Sequence, residues 1–283
     1  MGFPWTLRTT PNAAMAAVVY GSDKFVGVGS GGVITSTDGL SWTARTPAAT
    51  KTWAGICHGD GKYVAVASDV SPAGMTSADG ITWTAQAGTP AYSQDVCWNG
   101  SLYIVCGNDT VKIATSPDGV TWTTRLSTTG YNPTAIAVNN TNTMVVMVAQ
   151  TGEVKSSPDG ITWTDRTPPI ASQEWTDVCW AVDKFVAVSG HGTIMTSADG
   201  ITWTERTAAV AQAFRCVTSA PNGLIVACTS AGVGNRAQTS PDGISWTVRT
   251  SAADLYWDGA AYGAGLFVVV ANSGSTNRVM TAP

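Results

Sequence analysis

The segment Ser157–Thr164 reads S-P-D-G-I-T-W-T, and the chain writes it again at Ser36–Thr43, Ser77–Thr84, Ser116–Thr123, Ser197–Thr204 and Ser240–Thr247. From Trp42 to Trp246 the steps between successive box tryptophans are 41, 39, 41, 40 and 43 residues. A period near forty is the mark of a repeat architecture, in which each unit buries its apolar face against the next. That one constraint excludes most folds open to a chain of this length.

Each box is expected to form a tight hairpin turn. Ser suits the first position of a type I turn, and Pro117, Pro158 and Pro241 bring a fixed φ to the next. Asp38, Asp79, Asp118, Asp159, Asp199 and Asp242 follow, and a Gly then takes the left-handed conformation that closes the turn. The Ser hydroxyl and Asp carboxylate can accept the turn's own N–H groups. Trp42, Trp83, Trp122, Trp163, Trp203 and Trp246 come three residues later, on the returning strand. A carboxylate written into every repeat belongs to the turn rather than to catalysis.

These segments resemble the Asp-box, or BNR, repeat of sialidase-like β-propellers, in a form one residue shorter between Asp and Gly. The resemblance spans nearly the whole chain and implies a propeller whose boxes are structural corners away from the ligand face. The family includes glycosidases, sorting receptors, photosystem assembly factors and non-catalytic phage proteins. The D-G-x-x-W-T wording and the Ser/Thr/Ala/Gly-rich texture look most like propellers of tailed-phage virions.

The repeat ending at Trp203 divides into strands expected at Trp175–Val182, Phe185–Val188, Thr193–Ser197 and Ile201–Arg206. Four short antiparallel strands per forty residues make a propeller blade. Apolar runs such as Tyr63–Val66 and Phe267–Val270 fit second strands covered on both faces. At the C-terminus, Val279–Pro283 matches a third strand leading into a box that is cut short. At the N-terminus, Gly2 stands three residues before Trp5, with Met1 in the Asp slot. Joined, the ends complete a seventh box. The expectation is a single all-β domain over residues 1–283, a seven-bladed propeller with residues 1–8 completing the last blade.

Only 12% of residues are charged, against about 25% in typical domains. Fifteen basic and 19 acidic side chains argue against nucleic-acid binding. No apolar run reaches the roughly 20 residues of a membrane span, and no secretory signal is expected at the N-terminus. Cys57, Cys97 and Cys179 share a slot with Val19, Ala137 and Ala261, while Cys106 and Cys228 share one with Val188. Cysteines that alternate with Ala and Val are small hydrophobes, so free thiols and no metal site are expected.

Arg8, Arg45, Arg125, Arg166, Arg206 and Arg249, with Gln86 as the exception, fall three residues after a box Trp and are expected to be structural. Trp53, Tyr92, Tyr131, Trp175, Phe214 and Trp257 stand at the start of the first strands. They form a candidate ligand-binding ring around the channel mouth, with inter-blade packing as the alternative. Trp98, Trp180, Tyr20, Tyr262 and His58 share a further slot read as core. Asp95, Asp165, Asp177 and Asp254 are carboxylates with no turn to serve. The chain lacks the Arg-Ile-Pro motif of sialidases and has three Glu, with His58 and His191 isolated. The expectation is therefore a non-enzymatic binding or assembly module without cofactor. Its expected partner is a virion protein or a host-surface receptor or glycan, and its setting a virion, otherwise the cytoplasm. The alternative is a carbohydrate-binding or sialidase-like propeller. A photosystem-type assembly factor is a third reading, with no targeting segment to support it.

Overall fold

A computed structural model describes residues 3–11, 14–110, 112–274 and 276–283. Its strands form seven sheets of four antiparallel strands each. The inner strands are Ala17–Gly21, Trp53–Gly59, Ser93–Trp98, Pro133–Val138, Trp175–Ala181, Phe214–Ser219 and Trp257–Gly263, which define blades 1 to 7. Each inner strand packs beside that of the next blade, and the blade 7 strand lies beside that of blade 1. The ring therefore closes around a central channel.

Closure is made as the sequence suggests. The outer strand of blade 7 is Thr6–Arg8, paired with Val279–Ala282 in the register Thr6 with Thr281, Leu7 with Met280 and Arg8 with Val279. The seventh-box assignments of Met1 and Gly2 lie outside the described residues. Phe3 and Trp5 stack edge to face at 5.4 Å between centroids, and Trp5 is buried against Cys228 and Phe267 of blades 6 and 7.

The second strands are the most deeply buried. In Lys184–Ser189 every residue after the lysine is buried, as a strand covered on both faces requires. The apolar cores lie between neighbouring blades: Val146 and Val148 of blade 4 pack with Trp175 and Phe185 of blade 5. Each such side chain contributes about 1.5–3 kcal/mol when removed from water.

Every complete box folds alike. In blade 4 the Ser157 hydroxyl accepts the buried Gly160 N–H at 2.8 Å and donates to Asp159 Oδ1 at 2.9 Å. That same oxygen accepts the N–H groups of Ile161 and Thr162 at 2.8 and 2.9 Å. Gly160 has φ +77°, the left-handed value that glycine accommodates without a Cβ penalty. Because the Asp carboxylate captures the next two N–H groups, the outer strand begins late. It runs Thr204–Arg206 in blade 5 rather than from Ile201.

The repeated arginines are structural. Arg45 Nε donates to Thr35 Oγ1 at 2.9 Å, Arg166 Nε to Ser156 Oγ at 2.7 Å, and Gln86 Nε2 takes the same place on Thr76 at 2.8 Å. Blades are also stitched to one another. Lys24 Nζ donates to the Asp79 carbonyl at 2.9 Å and Lys184 Nζ to that of Asp242 at 3.2 Å. Trp98, Trp180 and His58 are half-buried and stack on Tyr103, Phe185 and Tyr63 at 4.5–4.7 Å. They are partly core, and Trp180 also lines the channel.

Candidate functional site

The channel holds a cavity of about 1000 Å³ walled by the inner strands. In blades 2 to 7 each inner strand slips register just after its first residue. The bulge leaves one residue per blade unpaired, at Ala54, Gln94, Thr134, Thr176, Arg215 and Asp258, and all six line the channel. Ala16 lines it in blade 1. The slot is thus small and apolar in blades 1 and 2 and polar in blades 3 to 7.

Those polar groups are not equivalent. Thr134 Oγ1 donates to the Trp175 carbonyl at 2.8 Å and Thr176 Oγ1 to that of Phe214 at 3.0 Å, so both serve as ties to the next blade. Arg215 and Asp258 instead form an ion pair, Nε to Oδ1 at 3.2 Å, with the arginine side chain 46% exposed and the carboxylate 12%. Asn272 Nδ2 donates to the other Asp258 oxygen. Burial pushes the Asp258 carboxyl up, with the Arg215 charge opposing. At the same mouth His191 Nε2 stands 4.0 Å from Glu174 Oε2, both half-exposed.

One residue further along the strand sit Asp95 and Asp177. Asp95 accepts the N–H of Val96 at 2.8 Å and of Ile136, in the next blade, at 3.0 Å. Asp177 does the same for Val178 at 2.8 Å and Val217 at 2.7 Å. Each keeps part of its surface toward the channel. Burial among the strand walls pushes Asp95 up to about 7 and Asp177 up to about 8, against the backbone donors that pull both down. Asp165 pairs with Lys155 on an outer strand, and Asp254 with Arg236 at 3.5 Å.

The aromatic ring needs correction. Trp53, Trp175, Phe214 and Trp257 are 0–1% exposed and Tyr131 6%, so they fill the seams between blades and offer no face to a ligand. Trp53, Trp175, Phe214 and Trp257 open their inner strands, and the side chain there turns back into the blade, leaving the bulged residue after it to face the channel. Only Tyr92 is exposed. The box Asp and Trp residues lie at the opposite end of the blades. Arg215, Asp258 and Gln94 were missed because they belong to no repeated word. The signal available was a slot in which neighbouring repeats carry different chemistry.

The architecture is that of a seven-bladed β-propeller. No protein-family model matches the chain, and no curated protein sequence matches it. Solved structures of similar shape include a streptogramin B lyase, with TM-score 0.86 and 10% identity over 100% of this chain and 98% of that one. A catalytically inactive virginiamycin B lyase of Staphylococcus aureus solved with quinupristin gives 0.82 and 9% over 99% and 98%. YCF48 bound to a D1 peptide gives 0.74 and 13% over 98% and 94%. At these identities the likeness carries the fold alone, and it does not single out the sialidases. The phage resemblance gains no support from it.

One expectation is overturned. Exclusion of an enzyme leaned on missing sialidase motifs, yet propellers of this shape include lyases, so that absence decides nothing. Among the described residues no helix is long and apolar enough to cross a membrane.

Proposed function

We propose that the chain is a binding and assembly module that takes a polar segment of a partner protein into the channel mouth of blades 3 to 7. The observation that carries this reading is the bulge slot, which holds Ala16 and Ala54 in blades 1 and 2 but Arg215 and Asp258 in the adjoining blades 6 and 7. In a repeat protein, structural positions recur; polar side chains that break the repeat inside a concave site are its binding candidates. Exposed Arg215 supplies a planar donor, Gln94 an amide, and Tyr92 and Tyr256, 41% and 52% exposed, add aromatic surface on the adjoining loops. YCF48 bound to a D1 peptide is a propeller of the same shape holding a peptide. A virion setting, as tail adhesion or capsid decoration, rests on the box wording alone.

The test is selection of binders from a randomised displayed peptide library, followed by comparison of wild type with an Arg215→Ala, Asp258→Ala double variant. A loss of tenfold or more in affinity is expected for the variant, with an Ile161→Ser variant on the box face unaffected. Equal binding to all three would move the site elsewhere.

A second reading, catalysis at the same mouth, is favoured by an imidazole and a carboxylate beside the cavity, His191 Nε2 standing 4.0 Å from Glu174 Oε2. Incubation with quinupristin, followed by mass spectrometry, tests it. Modification of the compound that is lost in His191→Ala would support the reading, and unchanged quinupristin would remove lyase activity of that kind.

A further inference from the structure

We propose that Cys216 and Cys228 form a redox-active dithiol, which a small-molecule disulfide converts into a cross-strand disulfide in the inner hairpin of blade 6. This pair differs from the other cysteines in what stands opposite it. Cys57, Cys97 and Cys179 stand opposite Val64, Ile104 and Val186, and Cys106 opposite Asp95. Cys216 stands opposite Cys228, and among the described residues it is the one place where two cysteines are register partners. The equivalent pairs elsewhere are Gly55 with Val66, Ala135 with Val148 and Asp177 with Val188.

Directly opposed residues of an antiparallel pair have Cα atoms about 4.5–5.5 Å apart, inside the roughly 4.4–6.8 Å that a disulfide spans. Both side chains leave the same face of the sheet and lie in one apolar cluster with Trp257, at 1% and 0% exposure. The Cys216 thiol lies 3.8 Å from the Trp257 carbonyl of blade 7 as a donor.

The exchange balances without further reactants. One thiolate attacks the small disulfide and releases one small thiol; the second thiolate displaces the other. Two protein S–H groups are oxidised, one S–S bond forms, and the small disulfide leaves as two thiols. The bond removes the Cys216 donor from Trp257 and fixes the strand whose preceding residue is Arg215. The dithiol stands independently of how the channel mouth is used.

The experiment treats the reduced full chain with oxidised glutathione at alkaline pH in sub-denaturing urea, so that buried thiols can exchange. Alkylation under denaturing conditions and mass spectrometry then count the thiols. The expected product has four alkylated cysteines of the six, a peptide joining Cys216 to Cys228, and an unfolding midpoint a few degrees higher once urea is removed. Cys228→Val, which restores the residue that Val66, Val148 and Val188 place in this slot, should give no cross-link. Six alkylated thiols, glutathione adducts without a cross-link, or a link between other cysteines would overturn the proposal.

Discussion

Arg8 donates from Nε to Thr281 Oγ1 at 2.8 Å, joining residues 273 apart in sequence across the last sheet of the ring. It is the same contact that Arg45 makes with Thr35 inside blade 1, where the partners are ten residues apart. The closing blade thus uses the ordinary outer-strand bond, with the chain ends supplying the two sides.

Loss of residues 1–8 should therefore open the ring. Met280 and Phe267 would lose Trp5 and Leu7 from their cluster, and the Val279–Ala282 strand would become an unpaired edge. The truncated chain is expected to melt well below the full chain and to aggregate, as read by calorimetry and light scattering. An unchanged midpoint would mean that the N-terminal strand contributes nothing to closure.

The box separates two hydrogen-bonding roles by their access to water. Ser157 is buried and its oxygen receives the buried N–H of Gly160, whereas Asp159 receives the exposed N–H groups of Ile161 and Thr162. Water can replace the Asp acceptor but cannot reach the Gly160 donor. Ser157→Ala should cost about 1–3 kcal/mol and Asp159→Ala about 0.5–1.5 kcal/mol. Chemical denaturation of the two variants checks the order; a larger loss for the aspartate would reverse this account of the turn.

Much of this was legible in the sequence because it is repeated. The six complete box words located their corners, the apolar runs located the second strands, and Ala282-Pro283 against Trp5 located the seam. The channel mouth was not legible on the same terms. Trp175 looks like a rim aromatic from its position at a strand start, but the register slip after it turns Thr176 to the channel and leaves the indole in the seam. A bulge carries no sequence word of its own here, so the face of every inner-strand side chain was open until the register was known. Arg215 and Asp258 were hidden for that reason.

Glycine at the lower end of an inner strand is set by the next blade. A Cβ on Gly59 would overlap the Trp98 ring, and one on Gly263 would overlap Tyr20. Neither glycine needs a positive φ, so the requirement is room alone. Gly59→Ala should cost about 1–3 kcal/mol through displacement of Trp98, and Trp98→Ala in the same chain should recover part of the loss in the glycine position's cost. A double-mutant cycle by denaturation measures the coupling; additive effects would place the clash elsewhere.

The carboxylates give the protein two opposed pH dependences. Backbone N–H groups of Thr121 and Val120 hold Asp118 down at about 2, and the other box aspartates are lowered as well. Their contribution is present above the unfolded value of about 4 and is lost as pH falls through the folded values. Asp95 and Asp177 run the other way: raised to about 7 and about 8, they stay protonated in the fold after the unfolded chain has ionised. Their contribution is complete below about pH 4 and is lost as pH rises toward 7 and 8. The ring should accordingly be most stable near pH 4–5 and should lose stability steadily from there to about pH 8. Asp95→Asn and Asp177→Asn remove the titration while keeping the shape, so each should flatten the alkaline limb even where the lost acceptor lowers stability throughout. Melting curves from pH 4 to 9 on the three proteins test this. An alkaline limb equally steep in both variants would show that these two carboxylates do not titrate in the channel wall.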